Sequence, residues 1–320
     1  MFKRLALAAL CGAAALLPVA PAGAAPHTGP PAKIASYNVF MLPEALYPNW
    51  GQEQRADLIA QQNVLADQDV VVLQELFHNE GGDRLLNNLR RTHPNQTSVV
   101  GRSRSGWDAT QGSYSATTPE DGGVAIVSRW PISRKVQFVY KDACGADWFS
   151  NKGFAYVKLA APGGAIHVIG THMQSEDDGC SAGQPGRVRA EQRAQIAAFL
   201  AAERIPAGEP VYVAGDMNVI ESSAEYPAML AELGAVGPEH AGHPHSWDCA
   251  DNSVCLDQYG PEYAAEHLDY VLPINGHPVP GRYVNETRRV KSPSWSVTAT
   301  GTTYTYTDYS DHYPVFGSNG

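Results

Sequence analysis

Short apolar runs recur along the chain and are separated by turns that contain Gly or Pro. Such runs are typical of β-strands, and a run without polar interruption indicates a strand buried on both faces. Pro162-Gly163-Gly164 predicts a hairpin, and Ala299-Thr300-Gly301 predicts a tight turn. We predict strands at residues 33–39, 69–73, 123–128, 153–160, 165–171, 210–215, 267–272, 294–298 and 302–307.

Two segments predict helices. Residues 52–66 carry apolar residues at helical spacing, and residues 187–203 form an Ala-rich segment with Ile196 and Phe199 on the inward side. Strands and helices are mixed without strict alternation, which favours an α+β layered sandwich. No low-complexity linker or internal repeat divides the chain, so we expect one domain over residues 26–320.

The first 25 residues have the layout of a cleavable secretory signal. Lys3 and Arg4 precede a mostly apolar stretch, and small residues follow around Ala22 to Ala25. A membrane anchor is the alternative, but the stretch is rich in Ala and Gly and is interrupted by Pro18, whereas a spanning helix needs about twenty strongly apolar residues. We therefore predict a signal peptide at residues 1–25 and a secreted, extracellular protein.

The charge balance weighs against a polyanionic partner. The chain has 23 basic and 33 acidic residues and a formal net charge of −10, and removal of the predicted signal would make it more acidic. Binding to nucleic acid draws much of its free energy from Lys and Arg side chains that neutralise phosphates. We expect no nucleic-acid partner, and we expect a monomer.

Five cysteines become four once the signal is removed, an even number in an oxidising compartment. Three pairings are possible. The short spacing between Cys249 and Cys255 suggests one local bridge, which leaves Cys144 with Cys180. Free cysteines or crossed pairs remain the alternatives.

Polar residues follow several of the predicted buried strands, where desolvation costs several kcal/mol unless the group is paired or bound to a metal. Their carboxylate and amide oxygens suit Mg²⁺, and their imidazoles suit proton transfer, which together are the requirements of phosphodiester cleavage. Each residue taken alone has another interpretation, such as an Asx turn or a surface ion pair. The set is Asn38, Glu75, His172, Asp216, Asn218, Asp311 and His312.

These residues lie in motifs that resemble the endonuclease/exonuclease/phosphatase superfamily. The motifs are Ser36-Tyr37-Asn38, Gln74-Glu75, Thr171-His172, Gly215-Asp216-Met217-Asn218, His267-Leu268-Asp269-Tyr270 and Ser310-Asp311-His312-Tyr313-Pro314. Three further segments resemble the bacterial neutral sphingomyelinases, which belong to that superfamily. They are residues 120–128, residues 144–156 and residues 306–315.

The resemblance implies a DNase-I-like fold, in which two packed mixed β-sheets are flanked by helices. It implies a sphingomyelinase C, a phosphoric diester hydrolase that cleaves sphingomyelin, in a membrane surface or micelle, into ceramide and phosphocholine. It also implies Mg²⁺ as the cofactor, with Co²⁺ or Mn²⁺ as possible substitutes. A broader phospholipase C, a secreted nuclease or a phosphatase of the same superfamily is the alternative enzyme, and a catalytically inactive lipid-binding module is the alternative of another class.

The resemblance also implies a role for each site residue. Glu75 would be the principal Mg²⁺ ligand, with Asp311 in the same cluster. Asn38, Asp216 and Asn218 would hold the phosphate and the attacking water. His312 would be the general base, oriented by Asp269, and His172 would stabilise the transition state or protonate the leaving oxygen.

Two further implications concern the edges of the molecule. A peripheral metal site would use Asn79, Glu120 and Asp121 with the carbonyl of Phe77, and its alternative is a solvated acidic loop. The family disulfide maps onto Cys144 and Cys180.

The hairpin before Asp311 departs from the family, because its tip at residues 298–303 has no aromatic side chain for insertion into a bilayer.

Overall fold

A computed structural model describes residues 27–29 and 31–319. The predicted signal peptide therefore lies outside the described residues, and its prediction stands on the sequence alone. None of the helices that the structure describes is long and apolar enough to cross a membrane.

The described residues form strands and helices in mixed order. The strands are β1 (Ile34–Met41), β2 (Val70–Leu76), β3 (Asn95–Gln96), β4 (Ala109–Gly112), β5 (Ala125–Ser128), β6 (Ile132–Val139), β7 (Gly153–Ala161), β8 (Gly164–His172), β9 (Val211–Asp216), β10 (Glu239–Gly242), β11 (Asp269–Pro273), β12 (Tyr283–Thr287), β13 (Trp295–Ala299), β14 (Thr302–Tyr306) and β15 (Val315–Asn319). The helices are α1 (Gln52–Gln61), α2 (Asn79–Leu89), α3 (Gln184–Glu203), α4 (Glu225–Leu233) and α5 (Ser253–Tyr259), with a 3₁₀ turn at Gly145–Phe149.

Two mixed sheets make up the centre of the described chain. The first has the order β10-β12-β15-β1-β2-β5-β3, and the second has the order β11-β9-β8-β7-β6-β4. Each sheet contains one parallel pair with antiparallel neighbours on both sides, β1 with β2 in the first sheet and β8 with β9 in the second. The edge pairs β10 with β12 and β4 with β6 are also parallel. Strands β13 and β14 form a separate ribbon.

Apolar side chains fill three layers between and outside the sheets. The inner layer packs side chains such as Val72 of the first sheet against side chains such as Val168 of the second. The outer layers bury α1 and α2 on the first sheet and α3 and α4 on the second. The result is the predicted layered sandwich of two mixed sheets flanked by helices, and burial on both faces explains the uninterrupted apolar runs.

The sequence prediction finds most of the buried strands but misses others, such as β12 and β15. The helix predicted at residues 52–66 ends at Gln61, because Asn63 adopts a left-handed backbone conformation with φ of 53°. Helix α2 was not predicted because it is largely polar and has two glycines, Gly81 and Gly82, in its first turn. Strand β6 was missed because its first half is exposed and alternates weakly.

His267, directly before β11, gives a prediction about acid stability. Its ring is 3% exposed, and neither ring nitrogen has a hydrogen-bond partner in the described residues. Burial and the neighbouring His240 lower the pKa of His267 to about 4. Below pH ~6.5 the imidazole of His267 is protonated in the unfolded chain but stays neutral in the folded protein. The free energy of unfolding therefore falls by up to about 3 kcal/mol as the pH drops towards 4.

Urea unfolding of the wild type and of His267→Phe at intervals between pH 7 and pH 4 measures this contribution. We expect the phenylalanine variant to lose less stability than the wild type over that window, because phenylalanine fills the site without titrating. Parallel curves for the two proteins would contradict the assignment.

Candidate functional site

Strand register brings the predicted polar residues to one end of the two sheets. In the second sheet, Asp216 lies opposite His172 of the parallel strand β8 and opposite Asp269 of the antiparallel strand β11. In the first sheet, Asn38 and Glu75 lie near the ends of the parallel strands β1 and β2. The carboxyl ends of parallel strands meet at one edge, so the two sheets contribute to a common site.

Asn38 joins the two halves of the site. Its side-chain amide donates to Glu75 Oε1 at 2.8 Å and to Asp216 Oδ2 at 3.1 Å, which links a carboxylate of each sheet. Its own Oδ1 accepts a hydrogen bond from the backbone N–H of Phe40 at 3.1 Å. The side chain of Asn38 is fully buried, and its amide N–H groups and its oxygen are all hydrogen-bonded. Asn38 therefore fixes the separation of the two carboxylates.

The backbone at the site is held in unusual conformations. Phe40, Glu75 and Asn218 have φ values of 50°, 58° and 50°, in the left-handed region that non-glycine residues seldom adopt. Residues in such conformations cost of order 1 to 3 kcal/mol each and concentrate at functional sites. Asn218 is held there by hydrogen bonds from its backbone N–H to Asp216 Oδ1 and from its amide to the Met173 carbonyl.

Glu75 and Asp311 form a centre of unbalanced negative charge. Burial and the charge of Asp311 raise the pKa of Glu75 to about 7, and burial also raises the pKa of Asp311. Glu75 Oε2 is buried and has no hydrogen-bond partner among the described residues. A buried carboxylate oxygen without a partner, beside a second carboxylate, fits a hard divalent cation such as Mg²⁺.

Arg55 lies behind this centre and was not predicted from the sequence. Its buried guanidinium donates to the backbone carbonyls of Val39, Phe40, Trp50 and Tyr309. Burial lowers its pKa to about 10, against the opposing charges of groups that include Asp311 and Glu75. Arg55 thus supplies a fixed positive charge while it ties together the loops around the site. The one indication in the sequence is that Arg55 lies on the apolar face of the helix predicted at residues 52–66.

His312 and Asp269 form the hydrogen-bonded pair that the sequence predicted. His312 Nδ1 lies 2.8 Å from Asp269 Oδ2, which leaves Nε2 facing Asp216 Oδ2 at 3.8 Å. Burial opposes protonation of His312, but the charges of Asp269, Asp311 and Asp216 outweigh it and raise its pKa well above the usual value. Asp216, Asp269 and His312 also bring potential metal-ligand atoms within 4.8 Å of one another. The hydrogen bond from Nδ1 to Asp269 holds the imidazole in one orientation and leaves Nε2 available to accept a proton.

His172 lies on the other side of Asp216. Its Nε2 is 3.6 Å from Asp216 Oδ2 and 3.3 Å from the ammonium of Lys152. Burial and the positive charge of Lys152 lower the pKa of His172 well below the usual value. The imidazole is therefore neutral near pH 7, which favours a hydrogen-bonding role in the transition state over the alternative role of proton donor.

Lys152 is a site residue to which the sequence assigned no role. It is buried, and it contacts Asp147 at 2.8 Å, the Met173 carbonyl at 3.2 Å and His172. A lysine directly before the apolar strand β7 is the signal that could have found it. Its ammonium places a positive charge beside His172, where a phosphate would be stabilised.

We predict that Lys152→Gln lowers kcat for phosphodiester cleavage by about a hundredfold, because one preorganised charge is worth roughly 3 kcal/mol in a transition state. Steady-state kinetics of purified protein measure it, with Lys158→Gln as the matched control. Lys158 also pairs with a carboxylate, Glu209, but it lies further along the same strand. Equal loss in the two variants would contradict a specific role for Lys152.

The residues predicted for the peripheral metal site are partly engaged elsewhere. Asp121 accepts from Arg102 Nε at 2.8 Å through one oxygen and from the Gly123 backbone at 2.8 Å through the other. Asn79 is the exposed first residue of α2, and Glu120 is half-buried. A cation at Asp121 would have to displace Arg102, and the peripheral site remains a prediction.

Both predicted disulfides are present. Cys144 is bonded to Cys180 and Cys249 to Cys255, with Cα separations of 5.4 Å and 4.6 Å. The first bridge anchors the 3₁₀ turn that carries Asp147, the partner of Lys152. The hairpin of β13 and β14 is also as predicted, and its tip carries only Thr, Ala and Gly.

Comparison with known proteins places this geometry in a family. A model of the endonuclease/exonuclease/phosphatase family matches residues 35–312. The chain belongs to this family. Sphingomyelinase C from Bacillus cereus is 48% identical over 290 residues, which cover 88% of this chain and 87% of that protein.

Solved structures of the family agree with this assignment. The crystal structure of sphingomyelinase C from Streptomyces griseocarneus is 51% identical, with a TM-score of 0.89 over 91% of this chain and 100% of that one. A mutant beta toxin from Staphylococcus aureus, crystallised with bound magnesium ions, is 47% identical, with a TM-score of 0.89 over 90% of this chain and 99% of that one. The chain therefore has the DNase-I-like fold and belongs with the sphingomyelinases C.

Proposed function

We propose that this protein is a sphingomyelinase C that hydrolyses sphingomyelin to ceramide and phosphocholine with the help of Mg²⁺. The observation that carries the proposal is the His312–Asp269 pair, which lies beside the buried carboxylates of Glu75 and Asp311. The membership of the chain among sphingomyelinases C supports sphingomyelin as the substrate. The predicted signal peptide supports secretion, and we propose a monomer that acts on a lipid surface and does not bind nucleic acid.

The reaction is a single displacement at phosphorus. His312 Nε2 accepts a proton from water, and Asp269 at Nδ1 favours the imidazolium that results. The water oxygen forms a bond to phosphorus, the bond from phosphorus to the ceramide oxygen breaks, and that oxygen takes up a proton from solvent. The imidazolium of His312 then returns its proton to solvent. Bound at Glu75 and Asp311, Mg²⁺ would neutralise the non-bridging phosphate oxygens.

The remaining side chains position the substrate. Asn38 and Asn218 offer amide groups beside Asp216, and the Nε2 atoms of His172 and His312 lie 3.6 Å and 3.8 Å from the same Asp216 oxygen. A base and a polar partner are thus gathered around one point, where a phosphate could be held between them. Lys152 strengthens the transition-state interaction from the side of His172.

The experiment is phosphocholine release from sphingomyelin vesicles, with MgCl₂ and with EDTA. Phosphatidylcholine vesicles and plasmid DNA are run in parallel. We expect Mg²⁺-dependent cleavage of sphingomyelin, with slower or no cleavage of phosphatidylcholine and intact plasmid. Cleavage of plasmid alone would replace the proposal by a nuclease, and equal cleavage of both lipids would replace it by a broader phospholipase C.

A further inference from the structure

Three aromatic rings adjoin the catalytic pair, and the mechanism above does not use them. Trp247, Tyr259 and Tyr263 contact one another, with ring centroids 5.3, 6.0 and 6.1 Å apart and interplanar angles between 67° and 81°. Tyr263 is 54% exposed and Tyr259 is 36% exposed, whereas Trp247 is nearly buried beneath them. Large exposed aromatic side chains beside a reaction centre need a cause other than core packing.

Backbone pairing fixes these rings beside the general base. Trp247 forms an antiparallel bridge with His312, and the Tyr313 N–H bonds to the Ser246 carbonyl at 2.7 Å. Residues directly opposite in an antiparallel pair project to the same face, so the indole of Trp247 neighbours the imidazole of His312. Through Trp247, the whole aromatic group is held at a fixed place relative to the attacking water.

Tyr259 links the buried and exposed members of this group. It is the last residue of α5, and its ring contacts Trp247 and Tyr263, with centroids 5.3 Å and 6.1 Å away. Burial and the charges of Asp311 and Glu75 raise the pKa of Tyr259 well above its usual value. Tyr259 thus continues the aromatic surface from Trp247 to Tyr263.

A carboxylate completes the group. Glu266 pairs with Trp247 through backbone hydrogen bonds of 2.9 and 2.8 Å, which puts its side chain on the same face as the indole and as His312. In the described residues no hydrogen bond or ion pair engages the Glu266 carboxylate. Burial and the charges of Glu176 and Asp216 raise its pKa, while those of Arg189 and His312 oppose the shift. A half-buried carboxylate without a hydrogen-bonded partner is a favourable neighbour for a cation.

We propose that Trp247, Tyr259, Tyr263 and Glu266 form a binding site for a quaternary ammonium group attached to the scissile phosphate. Aromatic faces attract such cations through their quadrupoles, and the methyl groups of the ammonium gain apolar contact with the rings. A carboxylate beside the rings adds charge complementarity without requiring a hydrogen-bond donor, which a quaternary ammonium lacks. This inference rests on the proposed function and extends it, because it names the side chains that select a choline headgroup.

The test uses two small esters that share one leaving group. One is p-nitrophenylphosphocholine, and the other is its 3,3-dimethylbutyl counterpart, in which carbon replaces the charged nitrogen. The ratio of kcat/KM for the two esters reports recognition of the charge alone. We expect the wild type to prefer the charged ester, and we expect Tyr263→Ala to lower that preference about tenfold, the value of one good cation–π contact.

Three variants separate recognition from a structural effect. Tyr263→Phe keeps the ring and should keep the preference, while Glu266→Gln keeps the shape, removes the charge and should lower it. Phe149→Ala is the matched control, because Phe149 is also 54% exposed but belongs to the 3₁₀ turn, and its preference should equal that of the wild type. An unchanged preference in both Tyr263→Ala and Tyr259→Ala would overturn the inference.

A binding measurement separates this inference from the proposed function. Titration calorimetry with tetramethylammonium chloride needs no turnover, and we expect binding by the wild type that weakens about tenfold in Tyr263→Ala. If the wild type binds tetramethylammonium but does not cleave sphingomyelin, the proposed function is refuted and the aromatic site is not. Absence of tetramethylammonium binding in a protein that cleaves sphingomyelin would refute the aromatic site alone.

Discussion

His312→Ala is expected to lower kcat for sphingomyelin hydrolysis by about a thousandfold while the protein stays folded. General base catalysis is worth about 10² to 10⁴ in rate, and Asp269 holds Nδ1 of His312 so that Nε2 can accept the proton. Asp269→Asn should lower kcat by about a hundredfold, because the amide no longer stabilises the imidazolium. Phosphocholine release under saturating Mg²⁺ and substrate measures both.

The double variant makes the role of the pair specific. With His312 already replaced, Asp269→Asn should have little further effect, because Asp269 acts through His312 and such effects are not additive. His277→Ala is the matched control, since the His277 ring lies 3.0 Å from the backbone carbonyl of Glu209, away from the site residues. Activity of His312→Ala close to that of the wild type would remove the general base from the mechanism.

Glu75→Gln is expected to have an effect of similar size for a different reason. The amide keeps an oxygen that can accept from Asn38, but it removes the charge that we assign to Mg²⁺ binding. Metal assistance is worth several kcal/mol of transition-state stabilisation, so we expect kcat/KM to fall about a thousandfold. Calorimetric titration with MgCl₂ should show weakened binding in the variant.

Stability and pH give two independent readouts of the same site. Without metal, Glu75→Gln should be at least as stable as the wild type, because a buried carboxylate beside Asp311 has been neutralised. Added MgCl₂ should raise the Tm of the wild type and leave that of the variant nearly unchanged. Because the pKa of Glu75 is about 7 in the metal-free protein, Mg²⁺ affinity should weaken as the pH falls below that value.

Glu80→Gln is the control for these measurements, since Glu80 lies in the first turn of α2 and its side chain is 71% exposed. Its kinetics, Mg²⁺ binding and Tm should match those of the wild type. A Glu75→Gln protein that binds Mg²⁺ as tightly as the control would move the metal to other residues.

Some residues of the site could be recognised from the sequence and others could not. Polar residues after apolar strands, such as Asp216 after β9, break a strong pattern and stand out. Lys152 and Arg55 do not stand out, because the sequence alone does not distinguish a buried lysine or arginine from an exposed one. Only the tertiary packing shows that they are buried. The aromatic group was missed for a related reason, since Tyr259 and Tyr263 lie in a segment that lacks strand or core periodicity.

The sequence by itself determined most of the buried strands and the layered class of the fold, and it named the candidate reacting groups. It could do so because burial on both faces demands uninterrupted apolar runs, and the chemistry demands particular side chains where those runs end. The tertiary structure decided which groups share a charge environment, because pKa values and unpaired atoms depend on distances between residues far apart in the chain. The separation of Asn38 from Asp216 spans 178 residues in sequence and 3.1 Å in space, and that contact joins the two sheets into one site.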